Sequence, residues 1–278
     1  MDRELDVACD LARSAGGVLL GHFGKPLAVD AKENDEPVTI ADRQSSELIV
    51  GGLHRAFPDD LVISEEAEPD LERLARGGRV WFVDPLDGTK EFIRGLHNFS
   101  VLIGLAVDGV PALGVVYQPT ADVLYRAAAG HPAEQATAQA TSTLGVSTIS
   151  DGSNARLCVS QSDRRPVIDE IKAQLRITRE EPMGSVGLKF CSIAAGRSDL
   201  YINPTAGAKA WDTCASLAIL RSAGGQASNV FGESLIYSGP ELWHTRGIVA
   251  SNQVLQRTAT EATRAVFARR GRLGLDLD

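Results

Sequence analysis

The amino-acid sequence predicts an α+β protein with two lobes. Residues 1–150 are expected to form an antiparallel sheet covered by helices, and residues 151–278 an α/β layer. In the first lobe, short β-favouring apolar runs are joined by turn signals such as Asp108-Gly109, a pattern typical of a meander. In the second lobe, such runs alternate with segments of helical periodicity, which is typical of α/β layers. A chain of 278 residues is long enough to bury a core in each lobe.

The first lobe begins with two amphipathic helices. Apolar residues recur at helical spacing over residues 5–20, and glycines follow. A short strand is expected over residues 27–32. Thr39 is a suitable N-cap for the second helix, which Pro58 ends. Asp42 falls in the first turn of this helix, where a carboxylate has an ordinary role beside the helix dipole.

Two predicted strands of this lobe each run into acidic residues. Residues 61–64 precede Glu65-Glu66, and residues 80–83 precede Asp84. Ligands in open α/β sheets bind at the carboxyl ends of the strands. We therefore expect Glu65 and Asp84 to share a metal site.

Residues 84–90, with the sequence Asp-Pro-Leu-Asp-Gly-Thr-Lys, carry the densest chemical signal. Pro85 is expected to end the strand pairing. A tight turn then aims Asp84 and Asp87 into one space, where a cation relieves their repulsion, and oxygen ligands of this kind suit Mg²⁺, Mn²⁺ or Ca²⁺. The N–H groups of residues 88–90 form an anion site if a helix or turn starts there. The alternative is an acidic surface turn, because Asp-Gly is also a hairpin signal.

The remaining elements are predicted from the same signals. Strands are expected over 99–107, 112–117 and 123–126, followed by an irregular Ala- and Thr-rich connection over 127–154. In the second lobe we expect strands over 156–160, 176–179, 199–202 and 247–250, helices over 166–175, 188–195, 210–223 and 254–270, and a hairpin over 226–237. Asp212, at the start of the third of these helices, occupies an ordinary cap position.

Composition and charge exclude several classes of function. The net charge of −8 argues against general nucleic-acid binding, which needs a basic surface. No apolar run approaches the roughly 20 residues that cross a membrane, and Met1-Asp2-Arg3-Glu4 lacks a signal-peptide pattern. The cysteines and histidines have no metal-ligand spacing, and isolated cysteines are typical of a reducing compartment. We expect a cytoplasmic protein with neither nucleic-acid nor membrane partners.

The acidic motifs, taken in their order and spacing, resemble those of a known enzyme superfamily. They are Glu65-Glu66, residues 84–89 and Trp211-Asp212, and further counterparts are residues 37–42, 184–189 and 247–252. They resemble the lithium-sensitive, Mg²⁺-dependent phosphatases, which include inositol monophosphatase, fructose-1,6-bisphosphatase and the 3′(2′),5′-bisphosphate nucleotidases. This resemblance extends along nearly the whole chain and implies a layered αβαβα sandwich.

The resemblance also implies roles for individual residues. One Mg²⁺ would be bound by Glu65, Asp84 and the Leu86 carbonyl, a second by Asp84, Asp87 and Asp212, and a third, weaker ion would lie near Glu65. Backbone N–H groups of Gly88 and Thr89 would hold phosphate oxygens. Asp42 and Thr89 would form a dyad, helped by Glu66, that activates a water molecule. Two to three Mg²⁺ ions per active site and a homodimer are thus expected.

The substrate is indicated by residues near these motifs. Lys90-Glu91-Phe92 resembles the bisphosphate nucleotidase branch, whereas inositol phosphatases tend to carry Thr-Asn-Phe there. Ser185 and Lys189 are candidate contacts for a second phosphate or for the nucleotide, although Ser-Val-Gly-Leu-Lys departs from the Ser-Ser-Leu-Lys of bacterial nucleotidases. We favour hydrolysis of 3′-phosphoadenosine 5′-phosphate to AMP and phosphate.

Three alternatives remain open. The first is an inositol monophosphatase or a broad sugar-phosphate phosphatase. The second is a phosphatase of the haloacid dehalogenase type, although its Asp-x-Asp motif differs from the two-residue spacing between Asp84 and Asp87. The third is an inactive phosphate-binding regulator, which the complete set of acidic residues disfavours.

Overall fold

The computed structural model describes residues 1–26, 29–31, 37–162 and 165–271. Its helices are α1 (Asp2–His22), α2 (Ile40–Ala56), α3 (Leu71–Ala75), α4 (Thr89–Ile93), α5 (Pro166–Leu175), α6 (Val186–Ala194), α7 (Ala210–Ser222) and α8 (Gln256–Arg269). None of the helices in these ranges is both long enough and apolar enough to cross a bilayer.

The strands form two large sheets and one small ribbon. They are β1 (Val29–Ala31), β2 (Pro37–Thr39), β3 (Leu61–Ser64), β4 (Arg79–Asp87), β5 (Ser100–Val107), β6 (Val110–Gln118), β7 (Val123–Ala128), β8 (His131–Ala136), β9 (Thr141–Thr143), β10 (Arg156–Ser160), β11 (Arg179–Met183), β12 (Leu200–Asn203), β13 (Gln226–Ser228) and β14 (Ile248–Ser251). The larger sheet has seven strands in the order β3 to β9, and the smaller one has five in the order β11-β10-β12-β14-β13. β1 and β2 pair antiparallel.

Apolar side chains stack these elements into five layers. One core cluster joins α1 and α2 to the first face of the seven-stranded sheet. A second cluster joins the opposite face of that sheet to α6, α7 and the five-stranded sheet. A third lies between the five-stranded sheet and the pair α5 and α8. The layered αβαβα prediction is confirmed, and the division of the chain at residue 150 stays a prediction.

β4 carries the acidic motif because its neighbours fix its course. It pairs parallel with β3 and antiparallel with β5. Pairing with β5 continues past Pro85 to Asp87, with a register shift between Asp84 and Asp87. The prediction that Pro85 ends the pairing was therefore wrong. A bulge accommodates the proline, which has no N–H to donate to a ladder.

Several local predictions need correction. The Ala- and Thr-rich segment after residue 127 is not wholly irregular, because β8 and β9 lie within it and extend the seven-stranded sheet. No hairpin forms over 226–237, since β13 pairs instead with β14. The strand expected over 176–179 begins later, as β11. Of the strand predicted over 27–32, β1 is described, and residues 27, 28 and 32 lie outside the described residues.

Two paired glycines let α7 approach the sheet closely. Gly104 on β5 lies opposite Gly114 on β6. A Cβ atom at Gly104 would lie 2.5 Å from the Ala215 nitrogen, and one at Gly114 would lie 1.9 Å from the Ala215 oxygen. Ala215 is in α7, three residues after Asp212. The absence of a side chain at both glycines therefore allows α7, which carries Asp212, to lie this close to the sheet.

Candidate active site

Three carboxylates from separate elements meet at one point. Glu65 follows β3, Asp84 lies in β4 and Asp212 lies in the first turn of α7. One ligand oxygen from each lies within 4.8 Å of the others. The parallel pairing of β3 with β4 brings the first two together, and the Glu65 N–H donates to the Val83 carbonyl at 3.1 Å. Oxygen donors at this spacing suit a hard divalent cation such as Mg²⁺.

The charges of this cluster oppose one another. Burial raises the pKa of Asp84 well above its ordinary value, and the negative charges of Glu65 and Asp87 raise it further. Burial also raises the pKa of Asp212 well above its ordinary value, again with Glu65 as the largest charge contribution. A divalent cation would remove this conflict, so the donor set fits the metal that the sequence resemblance implied.

Asp212 is both a helix cap and a member of the cluster. One of its oxygens, Oδ2, accepts a hydrogen bond from the Lys209 N–H at 2.8 Å. The ordinary cap prediction and the ligand prediction therefore describe the same carboxylate, which caps α7 and also belongs to the acidic cluster.

Asp87 lies beside the cluster, and its carboxylate accepts hydrogen bonds from the N-terminus of another helix, α6. Its Oδ1 accepts from the Val186 N–H at 3.0 Å, and its Oδ2 accepts from the Gly187 N–H at 2.7 Å and from the Ser185 hydroxyl at 2.5 Å. Burial raises the pKa of Asp87, while these hydrogen bonds lower it. Asp87 thus holds the N-terminus of α6 against the acidic turn, and Ser185 acts here as a structural partner of Asp87.

The predicted phosphate turn is a helix start. Gly88 has φ 102° and ψ 40°, in the left-handed region that favours glycine, and α4 begins at Thr89. A Cβ atom on Gly88 would lie 3.1 Å from the Asn98 carbonyl oxygen. The first N–H groups of a helix have no intrahelical acceptor and therefore favour anions.

Asp42 and Thr89 meet as predicted. The Thr89 hydroxyl lies 3.3 Å from Asp42 Oδ1 and 3.1 Å from the Leu86 carbonyl oxygen, so its one proton has two available acceptors. The second Asp42 oxygen accepts from the Thr39 N–H at 2.8 Å and from the Thr39 hydroxyl at 2.6 Å. Asp42 is buried, so its orientation is fixed from behind Thr89.

Most of the predicted site residues share one cavity of about 240 Å³. Those that line it are Glu65, Asp84, Leu86, Asp87, Gly88, Thr89, Lys90, Ser185, Lys189 and Asp212. Asp42 and Glu66 do not line it. Asp42 contacts it through Thr89, and Glu66 is half-buried beyond Glu65.

Sequence reasoning missed two charged residues in the wall of this cavity, Lys209 and Glu91. Lys209 stands two residues before Trp211-Asp212, and this proximity was the available signal. Glu91 lies in α4 beside Lys90, within the Lys90-Glu91-Phe92 segment, and this position was its signal; it accepts a hydrogen bond from Ser162, which is distant in the chain. Lys189, which was predicted, is buried, and its ammonium group donates to the Gly184 carbonyl.

A second cavity of about 350 Å³ shares a wall with the first, including Lys90 and Lys189. Among the described residues that line it are three cationic side chains, Lys90, Arg165 and Lys189, and no carboxylate. Ser160, Asn203 and Thr205 add neutral polar groups. The acidic cavity and this cationic one are therefore adjacent.

Known proteins resemble this chain over most of its length. The model of the inositol monophosphatase family matches residues 1–269. The 3′(2′),5′-bisphosphate nucleotidase CysQ of Shigella flexneri is 36% identical over 253 residues, which are 89% of this chain and 99% of that protein.

Solved structures have the same fold. The inositol monophosphatase of Thermotoga maritima superposes with a TM-score of 0.81 at 26% identity, over 97% of this chain and 99% of its own. CysQ of Bacteroides thetaiotaomicron superposes with a TM-score of 0.77 at 28% identity, over 90% of this chain and 97% of its own. By sequence and by fold, this chain belongs to the inositol monophosphatase family.

Proposed function

We propose that this protein is a Mg²⁺-dependent phosphomonoesterase, specifically a 3′(2′),5′-bisphosphate nucleotidase that converts 3′-phosphoadenosine 5′-phosphate to AMP and phosphate. The observation that carries the proposal is the cluster of Glu65, Asp84 and Asp212 beside the helix start at Gly88 and Thr89. The similarity to CysQ nucleotidases supports the choice of substrate.

The acidic cluster would hold two to three Mg²⁺ ions, with the Leu86 carbonyl and Asp87 as further ligands. Bound there, Mg²⁺ would neutralise phosphate charge, lower the pKa of water and stabilise the leaving oxygen. The chain's own contribution is to keep carboxylates close together in a buried place where their charges are unfavourable without a cation.

The start of α4 would bind and orient the phosphate. The N–H groups of Gly88 and Thr89, at the helix start, would donate to phosphate oxygens, and the left-handed conformation of Gly88 would let the phosphate approach the backbone closely. Binding a phosphate between these groups and the acidic cluster fixes the phosphorus for in-line attack, a geometric contribution that is large in phosphoryl transfer.

Thr89 and Asp42 would accept the proton of the attacking water. Thr89 lines the cavity, and its hydroxyl proton can pass to Asp42 Oδ1, 3.3 Å away. Thr39 donates two hydrogen bonds to the other Asp42 oxygen and so keeps Oδ1 turned toward Thr89. Glu66 would assist from the edge of the site as a second acceptor.

The second cavity supports the preference for a bisphosphate. A phosphate ester held at α4 would extend its leaving group across Lys90 and Lys189 into a space lined by Arg165 and Tyr201. Arginine and lysine bind a second phosphate well, and the Tyr201 ring offers an apolar surface for a base. Lys90, Lys189 and Arg165 are therefore the residues to which we assign the second phosphate.

A release assay for inorganic phosphate tests the reaction. The full chain would be given Mg²⁺, with and without Li⁺, and four substrates: 3′-phosphoadenosine 5′-phosphate, its 5′-phosphosulfate relative, inositol 1-phosphate and fructose 1,6-bisphosphate. We expect the highest kcat/KM with the bisphosphate nucleotides and inhibition by Li⁺. Release from none of the four would support the inactive regulator instead.

The matched pair Arg165→Gln and Arg257→Gln tests the second cavity. Arg257 is an exposed arginine on α8 and lines neither of the two cavities. We expect Arg165→Gln to raise KM for 3′-phosphoadenosine 5′-phosphate by about tenfold, the loss of one charge-assisted contact, and to leave KM for inositol 1-phosphate unchanged. Equal effects on both substrates would contradict the assignment.

Inositol monophosphatase activity is the second candidate. Ser160, Asn203 and Thr205 give the second cavity neutral hydrogen-bonding groups that suit a polyol. A preference for inositol 1-phosphate in the same panel would favour it. For either substrate we propose a cytoplasmic enzyme, which the four free, buried cysteines support, and a homodimer, which light scattering of the purified chain would test.

A further inference from the structure

Lys209 places a positive charge inside the acidic site. Its ammonium nitrogen lies 4.0 Å from Glu65 Oε1, and the residue lines the same cavity as Asp84 and Asp212. Lys209 is 6% exposed, so water screens this charge far less than at an open surface. The backbone N–H of the same residue donates to Asp212 at 2.8 Å. One residue therefore contacts two members of the carboxylate cluster.

Two indole rings hold the side chain in place. The ammonium lies 4.6 Å from the centroid of the Trp243 ring and 5.4 Å from that of Trp211. An isolated antiparallel bridge pairs Lys209 with Trp243, and flanking hydrogen bonds of 2.8 Å join Ala210 to Leu242 and His244 to Ala208. Because a cation between aromatic faces is stabilised most where it is desolvated, Lys209 is fixed in position.

We propose that Lys209 is a built-in cation of the metal site, which competes with divalent ions for Glu65 and limits how tightly the cluster binds them. This inference rests on the proposed metal-dependent function, and it is independent of which phosphate ester is the substrate. Lys209 here is a positioning and charge-setting residue. In the metal-free protein, its ammonium group partly neutralises the carboxylates. The same positive charge lowers the affinity of the cluster for a divalent ion.

The charge balance gives the direction of the effect. Glu65, Asp84 and Asp212 are close enough to share an ion, and one positive charge beside them opposes the binding of another. Attraction between opposite charges about 4 Å apart is strong away from bulk water. Removing the ammonium should therefore tighten divalent-ion binding by about tenfold or more and leave the metal-free protein less stable.

The test uses Mn²⁺ as the probe, counted by its electron paramagnetic resonance signal in a titration of the metal-stripped full chain. The variants are Lys209→Met, which removes the charge, and Lys209→Arg, which keeps it. Lys172→Met is the matched control, because Lys172 pairs with Glu180 at 2.5 Å away from the site. Melting temperatures with chelator and with saturating Mn²⁺ provide a second readout that needs no substrate.

We expect Lys209→Met to bind Mn²⁺ about tenfold more tightly, or to bind an additional ion, and to gain more thermal stability from Mn²⁺ than the wild type does. Lys209→Arg and Lys172→Met should match the wild type. Wild-type Mn²⁺ binding in Lys209→Met would overturn the proposal, and so would a Lys209→Arg variant that behaves like Lys209→Met, because packing and not charge would then be responsible.

A second variant covers the case in which Lys209→Met does not fold. Trp243→Leu keeps the charge but removes the nearer ring, so the ammonium is held less firmly over Glu65. We expect severalfold tighter Mn²⁺ binding, and an unchanged affinity in this variant would then overturn the proposal. Phosphate release plays no part in either titration, so a wrong substrate assignment would leave these results intact.

Discussion

Substituting Gly114 by alanine should displace Asp212 without touching it. The new Cβ atom would lie 1.9 Å from the Ala215 oxygen, whereas ordinary contact begins near 3.4 Å, so α7 or the sheet must move by about 1.5 Å. Overpacking of this kind destabilises by about 1–3 kcal/mol. Ala215 lies one turn after Asp212 on α7, so the shift is transmitted to the carboxylate cluster. A displacement of about 1 Å at a reacting centre lowers the rate roughly 100-fold.

Two other glycine substitutions separate displacement from loss of stability. At Gly16, a Cβ atom would lie 2.4 Å from a Tyr117 ring carbon, so Gly16→Ala should also destabilise, but between α1 and the sheet. Gly17 is exposed, and a Cβ atom there would meet nothing within 4 Å, so Gly17→Ala should stabilise α1 by about 1 kcal/mol.

The assays are urea unfolding for stability, and kcat with Mn²⁺ affinity for the site. We expect Gly114→Ala to lose stability, activity and metal affinity, Gly16→Ala to lose stability alone, and Gly17→Ala to gain stability. A folded Gly114→Ala protein with wild-type kcat and Mn²⁺ affinity would refute the argument that the paired glycines position Asp212.

Three further predictions concern buried polar groups. Asp84→Asn should abolish Mg²⁺-dependent turnover. It should also raise the stability of the metal-free protein by on the order of 1 kcal/mol, because it removes one of the repelling charges. A lower melting temperature in chelator would contradict this. Asp87→Ala should lower the free energy of unfolding by about 2 kcal/mol, since the N–H groups at the start of α6 lose their acceptor. An unchanged urea midpoint would contradict the role of Asp87 as the cap of α6. Burial lowers the pKa of His244 from 6.5 to about 4. Between pH 6.5 and pH 4, His244 is therefore protonated in the unfolded chain but not in the folded protein. The free energy of unfolding should fall by about 1.5 kcal/mol from pH 6.5 to about pH 5. His244→Asn should remove that part of the pH dependence, and identical pH profiles would show that His244 does not cause it.

The hydrogen bonds around His244 support its neutral form. Its Nε2 lies 2.7 Å from the Thr213 hydroxyl, which also accepts from the Tyr237 hydroxyl at 2.9 Å. Thr213 can donate its own proton to a neutral ring nitrogen, or to the Lys209 carbonyl oxygen 3.4 Å away, so these hydrogen bonds accommodate the neutral ring that burial favours.

The sequence alone determined the parts of this protein that depend on short segments. Acidic residues after β3 and in β4 predicted the shared position of Glu65 and Asp84, because parallel strands bring their carboxyl ends together. Gly88 and Thr89 indicated a turn or a helix start, since local backbone preferences decide such turns, and the structure has a helix start there. The helices α5 and α7 were placed almost to the residue for the same reason.

Only the tertiary structure decided which partners these segments find. Asp87 contacts Ser185 and Gly187, about a hundred positions further along the chain, and no local pattern specifies that pairing. β8 and β9 lack the apolar alternation of a strand and form because β7 offers an open edge to pair with. Lys209 joins the acidic cluster because its bridge to Trp243 fixes it there. Local propensity acts over a few residues, whereas such contacts depend on how the layers stack.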